Sequence, residues 1–74
     1  NIPYVAYKDI KHKDKLSVMA YVKGKWRYLG KGISKSYINY LDLGFYKDTP
    51  LVAFSDYTQK DKLTVLKMKK IKLK

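Results

Sequence analysis

The stretch PYVAYKD at residues 3–9 returns as PLVAFSD at residues 50–56, an offset of 47 positions. The same offset relates KDKLSVM at residues 13–19 to KDKLTVL at residues 60–66. Across residues 3–19, nine of 17 positions are identical in the two copies, and no gap is needed. Periods of about 20–50 residues are typical of solenoids, propellers and arrays, in which one unit cannot bury its apolar face alone. The sequence therefore predicts a repeat architecture.

Strand signals dominate each copy. Short runs of Tyr, Val, Ile, Leu and Trp alternate with polar residues and are separated by turn residues such as Lys23-Gly24. No segment shows sustained helical spacing, so the pattern predicts an all-β chain. The predicted strands cover residues 4–7, 16–22, 26–29, 37–45, 51–54 and 63–68, with a turn at residues 47–50.

Four short antiparallel strands in each 47-residue unit are the content of one propeller blade. The predicted fold is therefore all-β, with antiparallel four-stranded propeller blades and slightly under two blades in the chain. Residues 1–35 form an incomplete first blade and residues 36–74 a second, with residues 69–73 as its outer strand; together they make one structural unit. Because propellers close with at least about four blades, we expect completion by identical copies or by blades of a longer parent protein.

The same residues carry a family resemblance. The string PYVAYKD, then KLSVM at residues 15–19 and GKWRYLG at residues 24–30, resembles blades of bacterial repeat β-propellers, which read PYVAYxD…KxTVMKYxGxxWxYVG. The resemblance implies a secreted or cell-surface protein and transfers no catalytic residue. The second copy departs from the pattern because Gly24 aligns with Ile71 and Trp26 with Leu73.

The charge of the chain is strongly positive. It has 17 Lys plus Arg against six acidic residues, for a net charge of +11, and Arg27 is the single arginine. Such a charge attracts polyanions, but bidentate recognition of phosphates and bases favours Arg over Lys. A solvated lysine-rich surface is the preferred interpretation, and binding of nucleic acid or another polyanion is the alternative. The sequence lacks cysteine, and it has no apolar run long enough for a membrane span.

Candidate catalytic and metal-binding residues are few. His12, the one histidine, lies near Asp9 and Asp14, whereas a metal site needs about three or four convergent ligands. We therefore predict a solvated loop there. Asp9 recurs as Asp56, which indicates a turn role in which carboxylates accept loop N–H groups. With no serine elbow and no second histidine, the prediction is a protein that is not an enzyme and has no cofactor or metal.

The aromatic residues are the best candidates for ligand contact. Tyr and Trp present flat amphipathic surfaces suited to stacking on sugars or bases. Tyr7, Tyr40 and Phe54 are predicted to fill space between blades. The candidate ligand contacts are Trp26, Arg27 and Tyr28 on a predicted outer strand. The resulting hypothesis is a non-enzymatic scaffold with lectin-like binding of surface carbohydrate; the alternative is a small basic all-β domain that binds nucleic acid or another polyanion.

Overall fold

The computed structural model describes residues 2–59 and 62–68. Within them the chain is all-β and forms two three-stranded antiparallel sheets. The first sheet has the order β1-β2-β3 and the second the order β4-β5-β6. The strands are β1 (Tyr4–Asp9), β2 (Lys15–Val22), β3 (Lys25–Gly30), β4 (Ile38–Tyr46), β5 (Thr49–Asp56) and β6 (Thr64–Lys67), and short 3-10 helices cover Ile10–His12 and Tyr57–Gln59.

The two hairpins that carry the recurring sequence have the same strand register. In the first sheet Val5 lies opposite Met19 and Ala6 opposite Val18. In the second sheet the residues 47 positions later pair in the same way: Val52 opposite Leu66, and Ala53 opposite Val65. Because side chains alternate between the faces of a sheet, residues related by the offset lie on corresponding faces.

Each sheet has two faces that can be named from these pairs. In the first sheet we call the side with Ala6 and Val18 the front face, and the side with Val5 and Met19 the back face. In the second sheet, by the same offset, Ala53 and Val65 mark the front face, and Val52 and Leu66 the back face.

The hydrophobic core lies where the front face of the first sheet packs on the back face of the second. Leu16 and Val18 from the first sheet contact Val52 and Phe54 from the second, and all four are buried. Strand propensity and burial agree here, because β-branched and aromatic side chains pack well on a pleated surface. The remaining members of this core are Ile38 and Met68, with Ala6, Leu29, Leu41, Leu43 and Leu66 packed at its margin.

The connection between the sheets is fastened to both of them. The Ile33 N–H donates to the Leu16 carbonyl at 2.8 Å, and the Leu16 N–H donates to Ser34 Oγ at 3.1 Å. Two residues later, the Lys35 N–H donates to Asp56 Oδ2 at 3.2 Å. These bonds satisfy backbone groups next to a buried strand and hold the sheets in one packing arrangement.

Some strand predictions need correction. Each sheet has three strands in the described ranges; three were expected for the incomplete first blade, and the predicted outer strand of the second, at residues 69–73, lies outside these ranges. The predicted turn at residues 47–50 is shorter: Tyr46 pairs with Thr49 and Phe45 with Pro50, which leaves a two-residue turn. Pro50 fits the β4–β5 ladder because its carbonyl faces the other way, toward β6, where it accepts the Met68 N–H at 2.9 Å. Its missing N–H therefore costs no bond to β4.

Candidate functional site

The candidate ligand-contact residues lie on β3, which joins β2 through a tight turn. Lys23 and Gly24 both have positive φ angles, 53° and 79°. Positive φ at both central residues matches the right-handed twist of a hairpin, and Gly adopts it without steric cost. The turn predicted from the sequence therefore forms, and it places β3 at the outer edge of the first sheet.

Three aromatic side chains form an exposed strip on the back face of the first sheet. Trp26 lies opposite Tyr21 and Tyr28 opposite Met19, so Tyr21, Trp26 and Tyr28 project to the same side. The rings of Tyr21 and Trp26 meet edge to face, with centroids 5.3 Å apart. All three side chains are exposed. We call Tyr21, Trp26 and Tyr28 the aromatic strip.

Arg27 does not belong to this strip. It pairs with Ala20, which is buried on the front face, so the Arg27 side chain leaves the sheet on the side opposite to Trp26 and Tyr28. Strand alternation separates the three predicted contacts, because neighbours in a strand point to opposite faces. The structure thus brings Trp26 and Tyr28 together and adds Tyr21, but places Arg27 apart from them.

Polar groups flank the strip at the Tyr28 end. The Lys31 ammonium lies 4.9 Å from the centroid of the Tyr28 ring, within the range of a cation–π contact. On the other side, the His12 ring meets Tyr28 edge to face at 6.1 Å. An exposed aromatic surface with a cation and an imidazole at one end can stack on a ligand ring while offering hydrogen-bond donors at its rim.

Beneath this end of the strip, Asp9 organises a polar network. Ser17 Oγ donates to Asp9 Oδ2 at 2.6 Å, and His12 Nδ1 lies 2.7 Å from the same oxygen. The Lys11 N–H donates to Asp9 Oδ1 at 3.1 Å, and the Gly32 N–H donates to Ser17 Oγ at 3.0 Å. Asp9 and Ser17 are buried, so this network fixes the loop that carries His12 against the sheet.

The network bears out one prediction and adds a contact of His12 to another. Asp9 accepts a loop N–H, from Lys11, as its recurrence suggested; the equivalent Asp56 accepts the Thr58 hydroxyl at 2.7 Å and the Lys35 N–H. The loop predicted to be solvated is exposed at Ile10, Lys11 and Lys13, but the His12 side chain is only 33% exposed and is bonded to Asp9. Ser17 was not recognised from the sequence. The register of the β1–β2 hairpin identifies it as a neighbour of Asp9: Ser17 pairs with Tyr7, so it lies diagonally across the hairpin from Asp9.

Two pKa values reflect these contacts. The hydrogen bond from Ser17 is the main cause that lowers the pKa of Asp9, and the contacts with His12 and the Lys11 N–H act in the same direction. The hydroxyl of Tyr28 is the main cause that raises the pKa of Tyr7 to about 12, followed by burial and the charge of Asp9. Tyr7, Asp9 and Tyr28 therefore form one electrostatically connected group at this end of the sheet.

The arrangement of Ser17 and His12 differs from a hydrolytic triad. In a triad the serine hydroxyl donates to the histidine, which is oriented by the acid. Here Ser17 donates to Asp9 instead, and it is fully buried. Within residues 2–59 and 62–68, no cluster of three or more potential His, Asp or Glu ligands could hold a metal ion.

The residues predicted to fill space between blades have different surroundings. Phe54 is buried between the two sheets, as predicted. Tyr7 is partly buried on the back face of the first sheet, where its hydroxyl donates to Met19 Sδ at 3.5 Å. Tyr40 is exposed in the single chain, next to Leu41, which points into the core.

We expect the Asp9 network to lose its contribution to stability in acid. A lowered pKa in the folded state means that the carboxylate stabilises the fold above the ordinary Asp pKa of about 4 and that this effect is lost as pH falls through the lower, folded-state value. Urea denaturation between pH 7 and pH 2 should show a falling midpoint below about pH 4. The Asp9→Asn variant should start lower and lose less, and equal slopes in the two proteins would contradict the assignment.

Comparison of the chain with protein-family models, curated proteins and solved structures finds no match. Among the described residues, no helix has the length and apolar character needed to cross a membrane.

Proposed function

We propose that the chain is a non-enzymatic, blade-type scaffold module whose aromatic strip binds carbohydrate. The single observation that carries the binding proposal is the strip itself: Tyr21, Trp26 and Tyr28 project together from one face of an outer strand, and all are exposed. Exposed aromatic rings on one rigid sheet are suited to stacking on the apolar faces of sugar rings, because little conformational entropy is lost on binding.

The scaffold part of the proposal is supported by the way the sheets pack. Front face against back face is the arrangement that lets similar β-sheets follow one another in a repeat protein, each contacting its neighbours. The resemblance of residues 3–34 to bacterial propeller blades agrees with this, and it makes the cell surface or the exterior the proposed location. The partners proposed are therefore surface carbohydrate and further blades.

The proposal of a non-enzymatic protein is supported by the state of the polar groups. Ser17 is buried and hydrogen-bonded to Asp9 and to the Gly32 N–H, so its oxygen is already engaged. His12 is held by Asp9 on its Nδ1 side. These side chains stabilise a loop, which is a sufficient physical reason for their placement.

Carbohydrate binding can be measured directly because Trp26 is the one tryptophan. We expect oligosaccharides of glucose or N-acetylglucosamine, titrated from a soluble panel, to change Trp26 fluorescence in a saturable way. Tyr28→Ala should weaken binding about tenfold, since a lost aromatic contact of about 1.5 kcal/mol corresponds to that factor. Tyr46→Ala removes an exposed tyrosine from the far hairpin and should leave affinity unchanged. Equal affinities of the two variants would exclude the strip.

Polyanion binding is the second candidate, and the charge around β3 favours it. Lys23, Lys25, Arg27 and Lys31 are exposed on or beside this strand, in a chain with a net charge of +11. Titration with heparin and with single-stranded DNA at low and physiological salt separates the two functions. Polyanion affinity should fall steeply as salt is added, because the release of bound counterions is less favourable at high salt concentration. The affinity for sugars should barely respond.

A further inference from the structure

The two sheets expose different faces, although their sequences repeat. Val18 on the front face of the first sheet is 0% exposed, whereas its equivalent Val65 in the second sheet is 62% exposed. Leu16 and its equivalent Leu63 show the same contrast, 0% against 60%. The front face of the second sheet therefore presents the apolar side chains that form the core in the first.

The back faces show the converse. Val52 on the back face of the second sheet is 0% exposed, and its equivalent Val5 in the first sheet is 37% exposed. Phe54 is buried, whereas its equivalent Tyr7 is only partly covered. One front face and one back face thus remain open on the same molecule, on opposite sides of the stacked pair.

We infer that a second copy of this chain stacks on the first, with the front face of its second sheet on the open back face of the first sheet. The contact inside the chain is the template for this: Val18 and Leu16 pack there against Val52 and Phe54. The equivalent pairs between copies are Val65 and Leu63 against Val5 and Tyr7. The inference extends the scaffold part of the proposed function and does not depend on carbohydrate binding.

The two surfaces that would meet are complementary because they repeat the contact inside the chain. They are two different faces of the molecule, one front and one back. Such a head-to-tail contact generates a closed ring when the rotation between copies closes, and a filament when it does not. In the contact inside the chain, the back-face residues lie on β5 and β6. The equivalent strands of the first sheet are β1 and β2, so the contact between copies involves those two strands. It leaves the β3 residues Trp26 and Tyr28 outside the pairs named above.

Charge opposes this association and gives it a distinctive salt response. Each copy carries a net charge of +11, so copies repel one another at low ionic strength. Added salt screens that repulsion but leaves apolar burial in place. Association should therefore tighten with salt, which is the opposite of the response expected for polyanion binding.

The test is absolute mass by light scattering from micromolar to millimolar protein, at low and high salt. We expect the wild-type mass to rise above the 8.7 kDa of one chain. Val65→Lys should remain at the mass of one chain throughout. Leu63→Lys, at the residue that precedes β6 and is equivalent to the buried Leu16, should do the same and is the second front-face variant. Ile10→Lys adds the same charge at an 83% exposed apolar residue in the short helix between β1 and β2, outside the strands, and should associate like the wild type. A wild-type monomer at every concentration, or association of both front-face variants, would overturn the inference.

A mixing experiment tests the head-to-tail polarity. Val5→Lys damages the back face and leaves the front face intact, whereas Val65→Lys does the reverse. Each variant alone should be monomeric, and their equimolar mixture should give the mass of two chains, because one intact front face meets one intact back face. Association of either variant by itself would indicate a symmetric interface and would overturn this geometry. Both variants retain Tyr28, so a loss of sugar binding in the Tyr28→Ala experiment is a separate result.

Discussion

Val18→Lys should leave the protein unfolded. Val18 is fully buried between the sheets, in a cluster of apolar side chains from both. Placing an ammonium there costs about 4 kcal/mol or more, because the charge loses its hydration without gaining a partner. A chain of 74 residues has a total unfolding free energy of about 4–11 kcal/mol. We therefore expect the β-type circular dichroism spectrum and the cooperative urea transition to be lost.

The matched control is the same substitution 47 residues later. Val65 occupies the equivalent strand position but is 62% exposed in the single chain. At protein concentrations where the chain is monomeric, Val65→Lys should change the unfolding free energy by less than about 0.5 kcal/mol, as is usual for exposed sites. Comparison of the two variants thus distinguishes the effect of the strand position from the effect of burial on the unfolding free energy. Similar destabilisation by both substitutions would contradict the packing of front face on back face.

Ser17→Ala should destabilise the fold by about 1–3 kcal/mol, because it removes one partner from a buried hydrogen bond and from a partly buried one. The hydroxyl of Ser17 donates to Asp9 at 2.6 Å and accepts the Gly32 N–H at 3.0 Å. Without it, one oxygen of a buried carboxylate and one backbone donor lose a partner. Urea denaturation at pH 7 gives the free energy, and the pKa of Asp9 from NMR titration should rise toward its ordinary value because the main cause of its lowering is gone.

Thr64→Ala is the control for that change. Thr64 is the equivalent of Ser17 in the second sheet and pairs with Phe54 as Ser17 pairs with Tyr7. It is only partly buried. We expect the midpoint of unfolding to change little, and the pKa of Asp9 to stay where it is. A larger loss of stability in Thr64→Ala than in Ser17→Ala would show that the Asp9 network is not the source of the effect.

The fold class and most strand positions were predictable because they depend on local pattern. Alternation of apolar and polar residues indicated the strands, and Lys23-Gly24 correctly marked a tight hairpin. Strand ends were less predictable: the β4–β5 ladder includes Pro50 because the position of its missing N–H faces β6 and removes no bond to β4. The count of four strands in a blade was an inference from the period, and the described sheets have three.

The candidate site was predictable in part. Trp26 and Tyr28 share a face because their spacing is two residues, which the sequence shows. By the same alternation, Arg27 belongs to the other face, and the structure places it there. Tyr21 lies on the same face because the two-residue turn at Lys23-Gly24 places it opposite Trp26. The Asp9–Ser17 contact required the register of the hairpin, and the contact of His12 required the fold of the following loop.

The sequence by itself determined that this chain is all-β and that two of its hairpins have equivalent residues, since both properties are written in local alternation and in the 47-residue offset. It could not determine which of two equivalent residues is buried. Val18 and Val65 have similar neighbours in sequence, Ser17 and Met19 against Thr64 and Leu66, and the same strand position, yet only Val18 is covered. Only the tertiary structure decided that, because burial depends on which sheet packs against which face.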